Sequence, residues 1–229
     1  MATECSIGSS KTLVDDAGNK TGGGILKHFL IDKNYDAYLS KMGFSIDEVL
    51  KKAMLPEDLF AHQIPNLTVE EYFRLMQAID ALSPDSQTPI RLAISDGIEA
   101  FFPPIFAVYC SQNALVCLKR LAQYKPLIGA LLYQVAETDT EVSVEILLDN
   151  SKLELPEILI GIEFVFLVGL IRKATKEQIS PLSATTKHPM QNQTYADYMR
   201  IPIVTGTKNQ LVFSKADAQI PFISRNESM

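Results

Sequence analysis

Apolar residues along this chain follow two spacings. In the first third they recur at steps of three and four, the repeat of a helix face. Ser45-x-x-Glu48 stands before Val49, Leu50 and Ala53, and Thr68-x-x-Glu71 stands before Tyr72, Phe73, Leu75, Met76 and Ile79. Each is a capping-box pattern, in which the first side chain accepts from a free N–H of the opening turn and the acid returns the bond. Two helices are predicted there. The stretch before them, Ile25 to Lys41, carries Leu26, Phe29, Leu30, Tyr35, Tyr38 and Leu39 at mixed helical spacings. It predicts one or two short helices with a break at Asp32 to Asn34, ended by Gly43.

Ser83-Pro84-Asp85-Ser86 reads as a turn, and Ile90 to Ile94 fits either a helix or a short strand ending by Gly97. Phe101-Phe102-Pro103-Pro104 breaks regular structure. Ser111 is then expected to cap an amphipathic helix with Ala114, Leu115, Leu118, Leu121 and Ala122 on one face, ending near Tyr124 ahead of Pro126. The spacing next changes to two. Leu131 to Ala136 and Val142 to Leu148 flank Glu137-Thr138-Asp139-Thr140, which predicts two antiparallel strands around a hairpin loop. Pro156 suits a first helical turn, and Glu157 to Ala174 forms the longest helical pattern. Pro181 to Thr186 predicts a weaker strand and Thr194 to Met199 a short helix. Ile201 to Thr205 and Leu211 to Phe213 predict a closing pair of strands. The fold class expected is α+β, with N-terminal helices followed by a mainly antiparallel sheet interleaved with helices.

Composition narrows the function classes. The 229 residues, 47% of them apolar, suffice for one packed domain. A net charge of −6 offers no basic footprint for a phosphate backbone. Cys5, Cys110 and Cys117 are odd in number and lack metal spacing, which fits a reducing compartment, so a cytoplasmic location is expected. Residues 1–24 have no charged start followed by an apolar run and read as a flexible arm rather than a secretory signal. The apolar run Ile158 to Ile171 is shorter than the roughly 18 to 20 residues of a bilayer span and contains Glu163, so no membrane partner is expected. The acceptor patterns Asn66-Leu67-Thr68 and Asn192-Gln193-Thr194 carry little weight without secretion.

Candidate chemistry is sparse. His28, His62 and His188 lie far apart in sequence and outside any zinc-binding pattern, so neither metal nor cofactor is expected. Gly22-Gly23-Gly24 has no preceding strand and no following Gly-Lys-Ser/Thr, unlike a phosphate loop. GxSxG is absent, and Cys110 and Cys117 have no histidine or acid nearby in sequence. Glu163 stands out, because its helical neighbours Leu159, Phe166, Leu167 and Leu170 are all apolar. A charge there is costly. One reading makes it the polar anchor of an apolar ligand cavity. The other takes it to solvent at the helix edge, or to a core arginine such as Arg91 or Arg172. Tyr109, Tyr124 and Tyr133 each offer a hydroxyl to a ligand or sit amphipathically at a core edge. His188, beside Pro189, either donates to a ligand or caps a loop.

Three segments carry a resemblance: MGFSIDEVLKKAMLPEDLF, FPPIFAVYCSQNALVCLKRLAQYKPLI and YADYMRIPIVTGTKNQLVFSKADAQIPF. From about Tyr38 onward the chain resembles the N-terminal effector-binding domain of AraC/XylS-type transcriptional regulators, in the subgroup with an arabinose-binding-like N-terminal domain. Ser111 with Ala114 to Tyr124 matches the family's capped helix, Tyr195 with Pro202-Ile203 its helix-to-strand joint, and Asn209 to Phe213 with Ile220-Pro221 its close. Phe101 to Pro104 departs from the glycine-rich stretch usual there, and Ser183 to Pro189 matches only loosely.

The resemblance implies a domain at residues 25–223 that binds a small-molecule effector, dimerises, and meets DNA only through a C-terminal helix-turn-helix reader lacking here. Ser224-Arg225-Asn226-Glu227 reads as the capped start of a linker helix, so 224–229 is expected to lead into that reader. A second reading is a small hydrolase or isomerase acting on a partly apolar acid or ester with Glu163 as general base. A third is a scaffold without a ligand.

Overall fold

In a computed structural model, the structure describes residues 28–31, 35–62, 65–94, 108, 110–148 and 153–223. The arm expected at 1–24, the break at Asp32 to Asn34, Gly97, the Phe101 to Pro104 stretch, Tyr109 and the linker start at 224–229 all lie outside these residues.

The N-terminal layer is largely helical. Helices α1 (Tyr35–Lys41), α2 (Ile46–Ala53) and α3 (Val69–Leu82) bury Leu39, Val49, Leu50, Leu75 and Ile79 against one another. Thr68 and Glu71 form the full reciprocal box, with Thr68 Oγ1 accepting at 3.2 Å and Glu71 Oε2 accepting at 2.8 Å. Ser45 Oγ accepts from the Glu48 N–H at 3.5 Å. Gly43 has φ +93, a conformation that a side chain would strain.

One prediction fails here. His28–Leu30 forms a strand, β1, antiparallel to β2 (Asn66–Thr68), where a helix was expected. Residues 88–94 resolve to the helical alternative as α4 (Thr88–Ile94).

Helix α5 (Ala114–Ile128) is capped by Asn113, whose Oδ1 accepts from the Val116 N–H at 3.0 Å. The expected cap, Ser111, instead accepts from Arg120. The helix also continues through Pro126 rather than stopping at Tyr124. A proline in a last turn forfeits one backbone bond, and there the loss is small enough for tertiary packing to override. Strands β3 (Leu131–Glu137) and β4 (Glu141–Leu148) form the expected hairpin, with Tyr133 opposite Ile146 and Val135 opposite Val144.

Helix α6 (Glu157–Thr175) follows Pro156 and buries 14 of its 19 residues. A helix apolar on nearly all sides belongs at the centre of a fold, and α6 lies there. Ile158 and Leu159 pack into the helical layer, whereas Phe164, Val165, Leu167 and Leu170 pack into the core under the sheet.

The remaining elements are β5 (Ser183–Thr186), α7 (Thr194–Met199), β6 (Ile203–Thr205), β7 (Gln210–Ser214) and α8 (Lys215–Ala218). The five-stranded sheet has the order β3-β4-β7-β5-β6, and β5–β6 is its parallel pair. The last two strands therefore do not pair with each other as expected, because β5 lies between them. The fold is α+β, with helices first and then a mostly antiparallel sheet interleaved with helices.

Candidate functional site

Two cores meet at the middle of α6. Leu148, Leu155 and Ile162 touch both. Glu163, the next residue, is 7% exposed. A carboxylate so placed must be matched by donors. The structure supplies two, from different elements. Lys125 Nζ, in the last turns of α5, stands 2.6 Å from Glu163 Oε1. The Tyr133 hydroxyl, on the inner face of β3, donates to Oε2. Lys125 Nζ also lies 4.9 Å from the centroid of the Tyr133 ring, so carboxylate and aromatic face converge on the same ammonium.

Electrostatics extend the cluster toward the helical layer. Burial foremost, then the charge and hydrogen bond of Glu163, push the Tyr133 hydroxyl well above the usual phenol range. Tyr72 of α3 is raised in the same direction by burial, by the Tyr35 hydroxyl and by the Glu163 charge. Tyr35 in turn stacks at a tilt on Tyr38 and Phe60, with centroids 5.9 and 6.3 Å apart. Burial raises the Cys117 thiol, which keeps it protonated and inert near Tyr133.

The structure brings Glu163 and Tyr133 together. Tyr124 is half-buried against the sheet-side core, one residue before Lys125. His188 stands elsewhere, exposed after β5, with Nε2 3.6 Å from Glu154. Neither suggested arginine pairs with Glu163. Arg91 binds Asp85 at 3.1 Å, and Arg172 spends its donors on the carbonyls of Ile179, Tyr198 and Met199.

Sequence reasoning missed Lys125 and Tyr72. Lys125 fell just past the helix end assigned before Pro126, and extending the helix by one residue would have placed its charge on the apolar face, in line with Leu118, Leu121 and Ala122. Tyr72 looked like any member of an apolar stripe. Among the described residues no group of three or more His, Cys, Asp or Glu could hold a metal ion, and no helix is long and apolar enough to cross a membrane. An open recess lined by Ser86 and residues 191–194 is built from satisfied loop contacts, since Glu157 Oε1 accepts from the Gln191 and Asn192 N–H groups and the Ser86 carbonyl accepts from Asn192 and Thr194.

Residues 43–222 match the family described as the arabinose-binding domain of AraC transcription regulators, N-terminal. The chain belongs to that family. The arabinose-binding domain of the AraC regulators is a sensory domain, and the central α6 and five-stranded sheet fall within the matched residues. A transcriptional regulator, CdpR from Pseudomonas aeruginosa, has a similar fold, with a TM-score of 0.54 at 11% identity over 80% of this chain and 57% of that one. The chain therefore spans a little over half the length of that regulator. No curated protein matches this AraC-type domain.

Proposed function

We propose that this domain binds a small effector at the buried site around Glu163 and passes its occupancy to a DNA-binding reader beyond residue 229. One observation carries the reading. The two helices that supply Lys125 and Glu163 also grip the end of the described chain. Before the first residue of α5, the Gln112 carbonyl accepts from the Phe222 N–H at 2.9 Å, and Asn113 bridges to Pro221. Near the end of α6, the Ala174 carbonyl accepts from the Ile223 N–H at 2.9 Å. A ligand that separates or tightens the buried pair shifts α5 against α6, and so shifts residues 221–223. Coupling of this kind is a population shift between two arrangements, each held by its own contacts.

In this reading residues 25–223 are the sensor, 1–24 an arm and 224–229 the start of the linker. Glu163 and Tyr133 anchor the effector, with Tyr124 and Tyr109 as further candidate contacts, and His188, which stands apart beside Glu154, falls outside this site. The domain works in the cytoplasm without catalysis, as a homodimer, and reaches DNA only through the reader. Membership of a family of regulator sensory domains supports this.

Native mass spectrometry of the protein purified from its host tests the proposal. A non-covalent small molecule retained by the wild type and lost on Glu163→Gln is the expected result. A bare mass for the wild type, together with no change at the Phe222 and Ile223 amides in hydrogen exchange on adding host extract, would overturn it.

A further inference from the structure

We infer that the effector enters through an ammonium group that takes over the contacts the Lys125 side chain makes with Glu163 and Tyr133. The inference rests on the effector-binding reading and adds the chemistry of the effector. Lys125 Nζ has a carboxylate oxygen at 2.6 Å and an aromatic centroid at 4.9 Å. A charged acceptor and a π face are the two contacts by which proteins recognise organic cations. The Tyr133 hydroxyl, by donating to Oε2, ties the ring and the carboxylate into one unit.

Which partner can leave decides the sign of the ligand. Glu163 sits in the middle of a helix buried on nearly all sides, between two cores, and its short side chain cannot travel far from the α6 backbone that carries it. Lys125 lies in the last turns of α5, just before the exposed Pro126, and its flexible stem lets the ammonium swing outward. An incoming ammonium replaces Lys125 and leaves Glu163 paired. An incoming carboxylate would take Lys125 and leave Glu163 buried without a cation, which is the costly outcome. The side chains nearest Glu163 along α6, Leu159, Phe166, Leu167 and Leu170, are all apolar and buried, which favours a ligand whose body is largely hydrocarbon. The class is an amine with an apolar body.

The test is calorimetric titration of the 229-residue chain with n-hexylamine, n-hexanoate and n-hexanol. Hexylamine is expected to bind saturably and the other two not. Glu163→Gln should weaken hexylamine about tenfold or more, since a hydrogen-bonded charge is lost. Lys125→Met should strengthen it, because the internal competitor is gone. Circular dichroism checks that each variant folds, and Tyr133→Phe serves as the second variant, expected to weaken hexylamine less than Glu163→Gln does. Hexylamine affinity unchanged by Glu163→Gln overturns the inference, as does failure of hexylamine to bind both wild type and Lys125→Met. Hexanoate or hexanol binding that Glu163→Gln abolishes also overturns it while leaving the effector reading intact. No binding of any probe, combined with a bare native mass, removes both.

Discussion

Gly161 of α6 lies under the ring of Tyr195 of α7, so close that a methyl group on it would stand 2.3 Å from the ring's Cζ. Tyr195 is 1% exposed and cannot move aside. Two turns on, Gly169 receives the Tyr198 hydroxyl in the same way, with a built Cβ 2.9 Å from it. The two glycines let α7 seat both tyrosines on the central helix. Gly161→Ala is therefore expected to destabilise the fold by about 1 to 3 kcal/mol through overpacking. Gly129→Ala, where a Cβ meets nothing within 4 Å, should be near neutral. Urea denaturation of the two variants makes the comparison, and equal midpoints would count against the close approach.

The Lys125–Glu163 pair should show the asymmetry of buried charges. Both side chains are nearly enclosed, 13% and 10% exposed. Lys125→Met alone strands a carboxylate and is expected to cost about 3 to 5 kcal/mol. Lys125→Met with Glu163→Leu removes both charges and should recover most of that loss, leaving the Tyr133 hydroxyl to account for about 1 to 3 kcal/mol. A double-mutant cycle in urea measures the coupling, and additive losses would mean the two groups do not interact.

Glu137 clamps two helices to the end of β3. Lys119 of α5 approaches its Oε2 at 2.7 Å, and Lys215 of α8 its Oε1 at 2.9 Å. The hydrogen bonds from Lys119 and then Lys215 hold its carboxyl down to about 2, below the ordinary 4.5. A carboxyl depressed on folding stabilises fully above its unfolded value and loses that contribution as pH falls through the folded one. Stability should therefore decline between pH 4.5 and about 2, and Glu137→Gln should flatten that decline. Denaturant titrations across the window, with and without added salt, test it. Salt should weaken the effect, because the pair is partly exposed.

Arg172 ties the end of α6 to two later segments. Its Nε donates to the Ile179 carbonyl at 2.7 Å, its Nη1 to that of Tyr198 at 2.8 Å, and its guanidinium lies 5.1 Å from the Tyr198 ring centroid. Lysine cannot reproduce that fork. Arg172→Lys is expected to cost about 1 to 3 kcal/mol. Amide exchange should quicken first at residues 179–180 and 198–199, and uniform quickening across the domain would argue against a local tie.

Met54 ends α2 in the left-handed region at φ 54 while 74% exposed. Its side chain packs little and its backbone favours glycine. Met54→Gly should raise stability by about 1 kcal/mol, read as a higher thermal midpoint.

Much of this architecture was legible where local chemistry and the final fold agree. Thr68 and Glu71 wrote a capping box that forms, Thr194 to Met199 is helical at the bounds expected, and the alternation around Glu137 to Thr140 became a hairpin. Legibility failed where distant residues decide. His28–Leu30 is a strand because Asn66–Thr68 supplies its backbone partners, which lie more than thirty residues away. Pro126 stays in its helix because packing of α5 overrides one lost backbone bond.

By itself the sequence determined the α+β class, the long central helix, and the anomaly of a carboxylate at position 163 among apolar neighbours. These depend on periodicity and turn chemistry, which act over a few residues. Only the tertiary structure decided that β5 separates the last two strands, and that Glu163 is answered by Lys125 and Tyr133 rather than by an arginine. Partners 38 and 30 residues away in the chain leave no periodic trace. They meet because α5 and β3 pack together beside α6, and burial there makes a matched charge obligatory.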